Sequence, residues 1–237
     1  MLVKNLQNIK EKITISAEKY NRSLNDIKLV AVTKNVPIEK IKDIIDLGIT
    51  DIGENRIQEA QDKFNQLQSE NYKIGQYKWH MIGHLQTNKA KYAVQMFDLI
   101  QSVDSLRLAE EINKQAKKIN KIQDCLVELK VSEEETKFGC PQENIEKLIK
   151  EIKDFENIRI PGIMSMAPYF DEAEKARPYF QKTKQVFENV KSTFGFDSAV
   201  FNVLSMGMSG DFQIAIEEGA NLVRIGTAIF KAACSHE

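Results

Sequence analysis

Cysteine is scarce in this chain of 237 residues, occurring only at Cys125, Cys140 and Cys234. The number is odd and the spacing wide. Neither a disulfide framework nor a CxxC metal pair follows, and a reducing cytoplasm is the natural compartment. A surplus of charge is also missing, because 33 Lys and Arg stand against 34 Asp and Glu, a net charge of −1. A dedicated nucleic-acid binder needs a basic excess on one face, so that class is disfavoured. Long apolar runs are absent, and no window approaches a membrane span. Lys4, Lys10, Glu11 and Lys12 interrupt any secretory core at the N-terminus. There is no linker, no low-complexity tract and no shift of composition. One domain over residues 1–237 is the simplest division.

What is present suits a sizeable core. Hydrophobic residues make up 42% of the chain, enough to bury an interior at this length. The length matches one (β/α)₈ barrel and would also hold two small domains. Leu2, Leu6, Ile9, Ile13, Ala17 and Tyr20 recur at helical spacing and predict an N-terminal helix over about residues 1–20, lying against something larger.

From residue 27 the pattern repeats. Strands are predicted at 27–33, 50–53, 79–83, 98–103, 123–131, 158–164, 200–204 and 220–225. Helices are predicted between them, over about 38–47, 57–67, 87–96, 106–119, 141–152, 171–193 and 211–218, with a short one after Thr227. Pro37 suits the first turn of a helix, Gly48 a helix end, and Asp104 or Ser105 a helix start. Pro161-Gly162 predicts a bend inside the sixth strand. Eight strands alternating with eight helices predict a closed α/β barrel, with the extra N-terminal helix covering one end. The alternative is an open doubly wound sheet. The strand count and the lack of a GxGxxG after the first strand argue against it.

The unusual residues fall just after strands. Lys34 follows the first, in VAVTK. Asn55 follows the second, in GENR, and His84 the third, in IGHLQTNK. Lys137 lies in the loop after the fifth, and Met164 and Ser165 close the sixth. Ser205 and Ser209 belong to SMGMSGD after the seventh, and Arg224, Gly226 and Thr227 to RIGT at the eighth. In a barrel these loops share one mouth, where such folds build their sites. A lysine at a buried strand end can be partly desolvated and so made nucleophilic toward an aldehyde. Alone it reads as well as a side chain reaching into water. SMGMSGD and RIGT offer hydroxyls, backbone N–H groups and glycines for a phosphate, or are simply turns. A lysine beside an anion cradle suggests an aldehyde with a phosphate handle, which pyridoxal phosphate is.

Other features read as structural. His80 and His84 share an i, i+4 spacing, but His80 falls in a strand, so zinc is disfavoured and His80 is a hydrogen-bonded core or wall residue. Met164, Met166, Met206 and Met208 read as core. Lys114, Lys117, Lys118 and Lys121 read as a solvated face, as do Glu133–Glu135. Arg224 has a second reading as half of a rim ion pair.

Taken in order, VAVTK, GENR-x-QE, WHMIGHLQTNK, GIMSM, SMGMSGD and VRIGTAIF resemble the pyridoxal-phosphate-binding homeostasis proteins. That family is similar to the barrel domain of bacterial alanine racemase. The resemblance covers about residues 25–230. It implies a fold-type III barrel holding pyridoxal 5′-phosphate as an imine on Lys34. It implies phosphate contacts from Ser205, Gly226 and Thr227, with Asn55 near the ring substituents and His84 and Met164 lining the pocket. It places Arg224 against the pyridine nitrogen, where a charged guanidinium keeps that nitrogen unprotonated and weakens the ring as an electron sink. The implied function is a non-catalytic, cytoplasmic carrier that buffers or supplies the cofactor. Apoenzymes that use pyridoxal phosphate are its implied partners, and a monomer is expected because the chain lacks the racemase β-domain. A racemase-like enzyme is the competitor, with His84 or Tyr169 as candidate second base. An imine-forming aldolase barrel is a more remote one. Lys137 is a candidate for a second cofactor site. The chain departs from the family at Lys231, where glycine usually follows Ile-Phe.

Overall fold

In the computed structural model, residues 1–132, 134 and 138–231 are described. Lys137, most of Glu133–Glu135 and Cys234 therefore lie outside the described residues. The strands are β1 (Lys28–Val32), β2 (Asp51–Glu54), β3 (Lys78–Met81), β4 (Leu99–Val103), β5 (Gln123–Lys130), β6 (Cys140–Pro141), β7 (Ile158–Ser165), β8 (Val203–Ser205) and β9 (Leu222–Ile225). β6 is a two-residue strip beside the end of β5. The other eight are parallel and pair in a ring, with β4 on β5 and β1 on β9 leaving no open edge. The sheet is a closed barrel, and the open doubly wound alternative is excluded.

Alternation along the strands divides the core in two. Val30, Leu99, Leu126, Met164 and Leu222 fill the barrel interior. Their neighbours Ala31, Ile100, Val127, Ile163 and Val223 face outward into the larger core beneath the helices. That outer layer is formed by α2 (Ile38–Asp46), α3 (Ile57–Ser69), α4 (Ala90–Met96), α5 (Leu106–Lys118), α6 (Gln142–Ile152), α7 (Arg177–Phe194), α8 (Phe212–Glu217) and α9 (Thr227–Phe230), after the N-terminal helix α1 (Leu2–Lys19).

Several expectations need correction. α1 does not cover a barrel end. It packs on α8 and α9 in the helical ring, because α9 has only four residues and leaves the β9–β1 flank uncovered. The helix expected from Asp171 begins as a 3₁₀ turn (Ala173–Ala176), and α7 starts at Arg177. Pro178 is the cause: it has no N–H to give to the preceding turn and fits only at the helix start. Val200 lies in a turn closed onto the Asp197 carbonyl, so β8 begins at Val203. Pro37 is the residue just before α2 rather than inside its first turn. Lys121 is not on a solvated face; its Nζ donates to the Val94 and Phe97 carbonyls at 2.8 and 2.7 Å, closing the end of α4.

Among the described residues no helix is long and apolar enough to cross a membrane. Cys125 and Cys140 are buried free thiols, and burial pushes both thiols up, Cys140 to about 11.

Candidate functional site

The C-terminal ends of β1, β8 and β9 open into a cleft of about 820 Å³, whose wall includes Lys34, Met208, Ser209, Arg224, Gly226, Thr227 and Tyr169. Lys34 and Arg224 come together because β1 and β9 are barrel neighbours, with Val30 opposite Arg224.

Lys34 stands on a short turn after β1 that is clamped from below. The buried Thr33 hydroxyl donates to Glu54 Oε1 at 2.6 Å. Lys63 Nζ, from α3, donates to the Thr33 carbonyl, to Glu54 Oε1 and to Glu59 Oε1 at 2.7, 2.8 and 2.6 Å. The Asn35 N–H donates to Glu59 Oε1 at 2.5 Å, and Asn35 takes a left-handed φ of 57°, which asparagine tolerates. Burial pushes the Glu54 carboxyl up, against the opposing bonds from Lys63 and Thr33. Lys34 itself is exposed. It lies two residues beyond the end of β1, on the turn rather than in the strand.

The loops after β8 and β9 form one hydrogen-bonded unit. Gly207 has a φ of +92°, and a Cβ there would fall 2.5 Å from the Ala215 Cβ, so the turn requires glycine. The Gly207 carbonyl accepts the Arg224 N–H at 3.1 Å. Met208 N–H is held by Asp211 Oδ1 at 2.6 Å. Ser209 Oγ accepts the N–H groups of Gly226 and Ala228 at 3.3 and 3.2 Å. At Gly226 a Cβ would approach the Val32 Cβ and carbonyl oxygen to 3.1 and 3.2 Å, so glycine lets this turn sit against the end of β1.

Arg224 is 3% exposed. Its Nη1 donates to Ser205 Oγ and its Nη2 to the Ser165 carbonyl at 2.8 Å. Burial lowers its pKa to about 10, opposed by Glu128 and Asp211, so it stays charged at neutral pH. Among the described residues it makes no rim ion pair; its guanidinium donates to a hydroxyl and a carbonyl. Ser205 is fully buried, and its hydroxyl donates to Gln101 Oε1 at 2.6 Å. The hydroxyl that reaches the Gly226–Thr227 turn is that of Ser209.

The remaining candidates scatter around the mouth. Asn55 Oδ1 is buried with no hydrogen-bond partner among the described residues. His84 stacks on Phe138 with ring centroids 3.7 Å apart, and its Nδ1 lies 3.4 Å from Asp104 Oδ2. Met164 is buried in the barrel interior, level with Ser205. Lys231 stands on the cleft wall beyond α9. His80 is a buried, hydrogen-bonded wall residue. Among the described residues no group of His, Cys, Asp and Glu is arranged to hold a metal.

Sequence reasoning missed Lys63 and Gln101. Glu59 and Lys63 form an i, i+4 pair, which is a readable signal. Gln101 is a polar residue inside the otherwise apolar LIQSV strand, a signal of the same kind.

An amine, a buried charged guanidinium and a hydroxyl-rich glycine turn on one wall fit a ligand with a carbonyl carbon, an aromatic nitrogen and a phosphate. The orphaned Asn55 Oδ1 leaves an acceptor for a donor on such a ligand.

Residues 5–234 match the family described as alanine racemase, N-terminal domain. A pyridoxal phosphate homeostasis protein of Aquifex aeolicus is 40% identical over 225 residues, covering 95% of each chain. The protein of that name from Escherichia coli K12 is 33% identical over 232 residues, covering 96% of this chain and 95% of the relative. Among solved structures, PipY of Synechococcus elongatus PCC7942 with PLP bound superposes with a TM-score of 0.83 at 27% identity. The match covers 98% of this chain and all of that one (100%). An alanine racemase of Clostridium difficile 630 shares the fold at TM-score 0.74 and 17% identity, over 99% of this chain and 57% of its own.

Proposed function

The chain belongs to the pyridoxal phosphate homeostasis protein family, and we propose that it binds pyridoxal phosphate reversibly on Lys34 and thereby buffers or supplies it. The observation that carries this reading is that Lys34, Arg224 and the Ser209–Gly226–Thr227 turn line one cleft. When bound, the cofactor supplies an aldehyde carbon that condenses with a lysine amine. Lys34 offers that amine from a turn that Lys63 and Glu59 keep from moving. Thr227 and Ser209 would hold the phosphate, on a turn that Gly226 seats against the end of β1. Ser205 stands one level below, where its hydroxyl is committed to Gln101 and Arg224. Arg224 faces the ring nitrogen with a lasting positive charge. Asn55 accepts from a ring substituent, while Met164 and His84 border the site from the barrel floor and the rim.

The role is non-catalytic. Relatives carry the name of homeostasis proteins, and among the described residues neither Tyr169 nor His84 is positioned as a second base. Tyr169 favours the racemase-like alternative by lining the cleft, but it is 83% exposed and its hydroxyl is shared with Asp171 at 3.3 Å. A solvated phenol of this kind is not oriented as a base. His84 is engaged with Phe138 and Asp104. The buried thiols of Cys125 and Cys140 suit a reducing cytoplasm. Apoenzymes that need the cofactor are the recipients, and the working state is a monomer.

The test is the absorbance spectrum of wild type and Lys34→Ala after incubation with pyridoxal phosphate and gel filtration. A visible band retained by wild type and lost in Lys34→Ala is expected. A band unchanged in the variant moves the attachment to another lysine. Exchange of an amino acid's α-proton at an enzyme-like rate, lost in Tyr169→Phe, would replace the carrier reading with the catalytic one.

A further inference from the structure

A chain of buried polar groups crosses the barrel interior beneath the cleft. Asp51 on β2, His80 on β3, Gln101 on β4, Ser205 on β8 and Arg224 on β9 are all buried. Each is joined to the next. His80 Nε2 lies 3.0 Å from Asp51 Oδ1, Gln101 Nε2 lies 2.9 Å from His80 Nδ1, and Ser205 Oγ donates to Gln101 Oε1 at 2.6 Å. Arg224 Nη1 then donates to Ser205 Oγ. Five polar side chains in a barrel interior are costly unless every one is satisfied.

The chain has one consistent direction. An amide nitrogen only donates, so His80 Nδ1 accepts and its Nε2 carries the proton toward Asp51. The Asp51 carboxylate also accepts the Thr50 hydroxyl at 2.7 Å. Burial pushes the Asp51 carboxyl up, but the bonds from His80 and Thr50 outweigh it and hold the group below its ordinary range. The donors therefore run from the guanidinium at the mouth to an ionised carboxylate on the far side. Turning the Gln101 amide round would break this order. Ser205 would then receive two donors and have no acceptor for its own proton.

We infer that Gln101, through Ser205, is a positioning residue that fixes the Arg224 guanidinium for the ring nitrogen of the bound cofactor. Ser205 holds Nη1 and the Ser165 carbonyl holds Nη2, so the guanidinium plane is set on two sides. Gln101 in turn fixes the Ser205 hydroxyl rotor, because its Oε1 accepts the only proton that hydroxyl has. His80 and Asp51 fix the amide. Without Gln101 the hydroxyl is free to rotate, and the guanidinium loses a fixed acceptor on one side. The inference rests on the cofactor reading above.

The test compares affinities for pyridoxal phosphate and for its 1-deaza analogue, in which the ring nitrogen is a C–H. Wild type is expected to prefer the natural cofactor by about tenfold, the size of one oriented charged hydrogen bond. Gln101→Leu and Ser205→Ala are expected to reduce that preference to about twofold, with affinity for the analogue nearly unchanged. Gln101→Glu is expected to restore most of the preference. Its carboxylate still accepts the proton of the Ser205 hydroxyl. A merely structural role would weaken both ligands alike and leave the ratio at its wild-type value; that result overturns the inference. Should Gln101→Leu fail to fold, Ser205→Ala, which removes only an oxygen, decides on the same ratio. A wild type that binds both ligands equally overturns the inference at Arg224. A wild type that binds neither overturns the cofactor reading and this inference with it.

Discussion

Glu128 projects into the barrel interior from β5 and is 2% exposed. Burial drives its carboxyl up to about 7, Asp104 adds to the shift, and Arg224 opposes it. The folded protein thus holds a proton that the unfolded chain releases near the ordinary glutamate range. Between roughly pH 4.5 and 7 the native state binds more protons, so this group's contribution to stability is full below that range and lost as pH rises through it. The loss amounts to roughly 3 kcal/mol for a shift of this size. Glu128→Gln removes the titration. Its melting temperature is expected to decline less steeply than that of wild type between pH 5 and 7.5, and to exceed wild type at pH 8. Parallel declines in both proteins would show that another group titrates. Nothing in the sequence marks Glu128, because VELK reads as an ordinary strand end and only barrel closure brings it beneath Arg224 and near Asp104. Lys34, Gly226 and Thr227 were legible for the opposite reason. Each belongs to a short motif with its own local chemistry, which needs no knowledge of what lies across the barrel.

At the scale of elements, the site depends on two turns held from outside the cleft. The turn after β1 is fixed by the Lys63 ammonium, which is shared among Glu54, Glu59 and the Thr33 carbonyl. Glu54 is fully buried, and its Oε2 has no hydrogen-bond partner among the described residues. Lys63→Met would leave two neighbouring carboxylates without the cation they share, one of them fully buried. Removing one partner of a buried pair typically costs about 3–5 kcal/mol. The melting temperature should fall accordingly, and wild-type retention of pyridoxal phosphate should drop even below the melting range, because Lys34 loses its fixed base. The turn after β8 depends on Gly207. Gly207→Ala forces a side chain into the left-handed region and against Ala215, an expected cost of about 2 kcal/mol or more. Weaker cofactor retention with normal binding of a phosphate-free pyridoxal would place the damage at the phosphate end. These turns were half legible. Glycine and serine spacing marks the loops themselves, and Asp211, which holds the second turn, stands in the same motif, while the Lys63 and Glu59 clamp comes from α3, whose side chains read as an ordinary helix face.

At the scale of the molecule, the first strand pairs with the last, and the helix described after the last strand is short. α9 has four residues, too few to cover the flank between β9 and β1. α1 takes that place. Leu6, Ile9, Ile13 and Ala17 bury one face against α8 and α9, and Asn5 Nδ2 donates to the Ile229 carbonyl at 2.9 Å. Arg22 closes the end of α8, donating to the Ile216 and Ala220 carbonyls at 2.8 and 2.7 Å, where a cation also meets the negative end of the helix. The apolar periodicity of α1 was legible, but its destination was not. Helical spacing says that a face is buried, and only the shortness of α9 says against what. Covering a barrel end and completing the helical ring make different predictions. As part of the ring, α1 contributes to the same cooperative unit as β9 and β1, so Ile13→Ala should cost about 2–4 kcal/mol. That corresponds to a melting temperature about 8 °C lower for a chain of this size, in a transition that stays single. Cofactor retention at 25 °C should be unchanged, since Ile13 lies with Lys28 and Leu29 at the start of β1 while the cleft opens at its end. A separate early transition for α1, with the main melt unmoved, would mean that the helix only rests on a finished barrel.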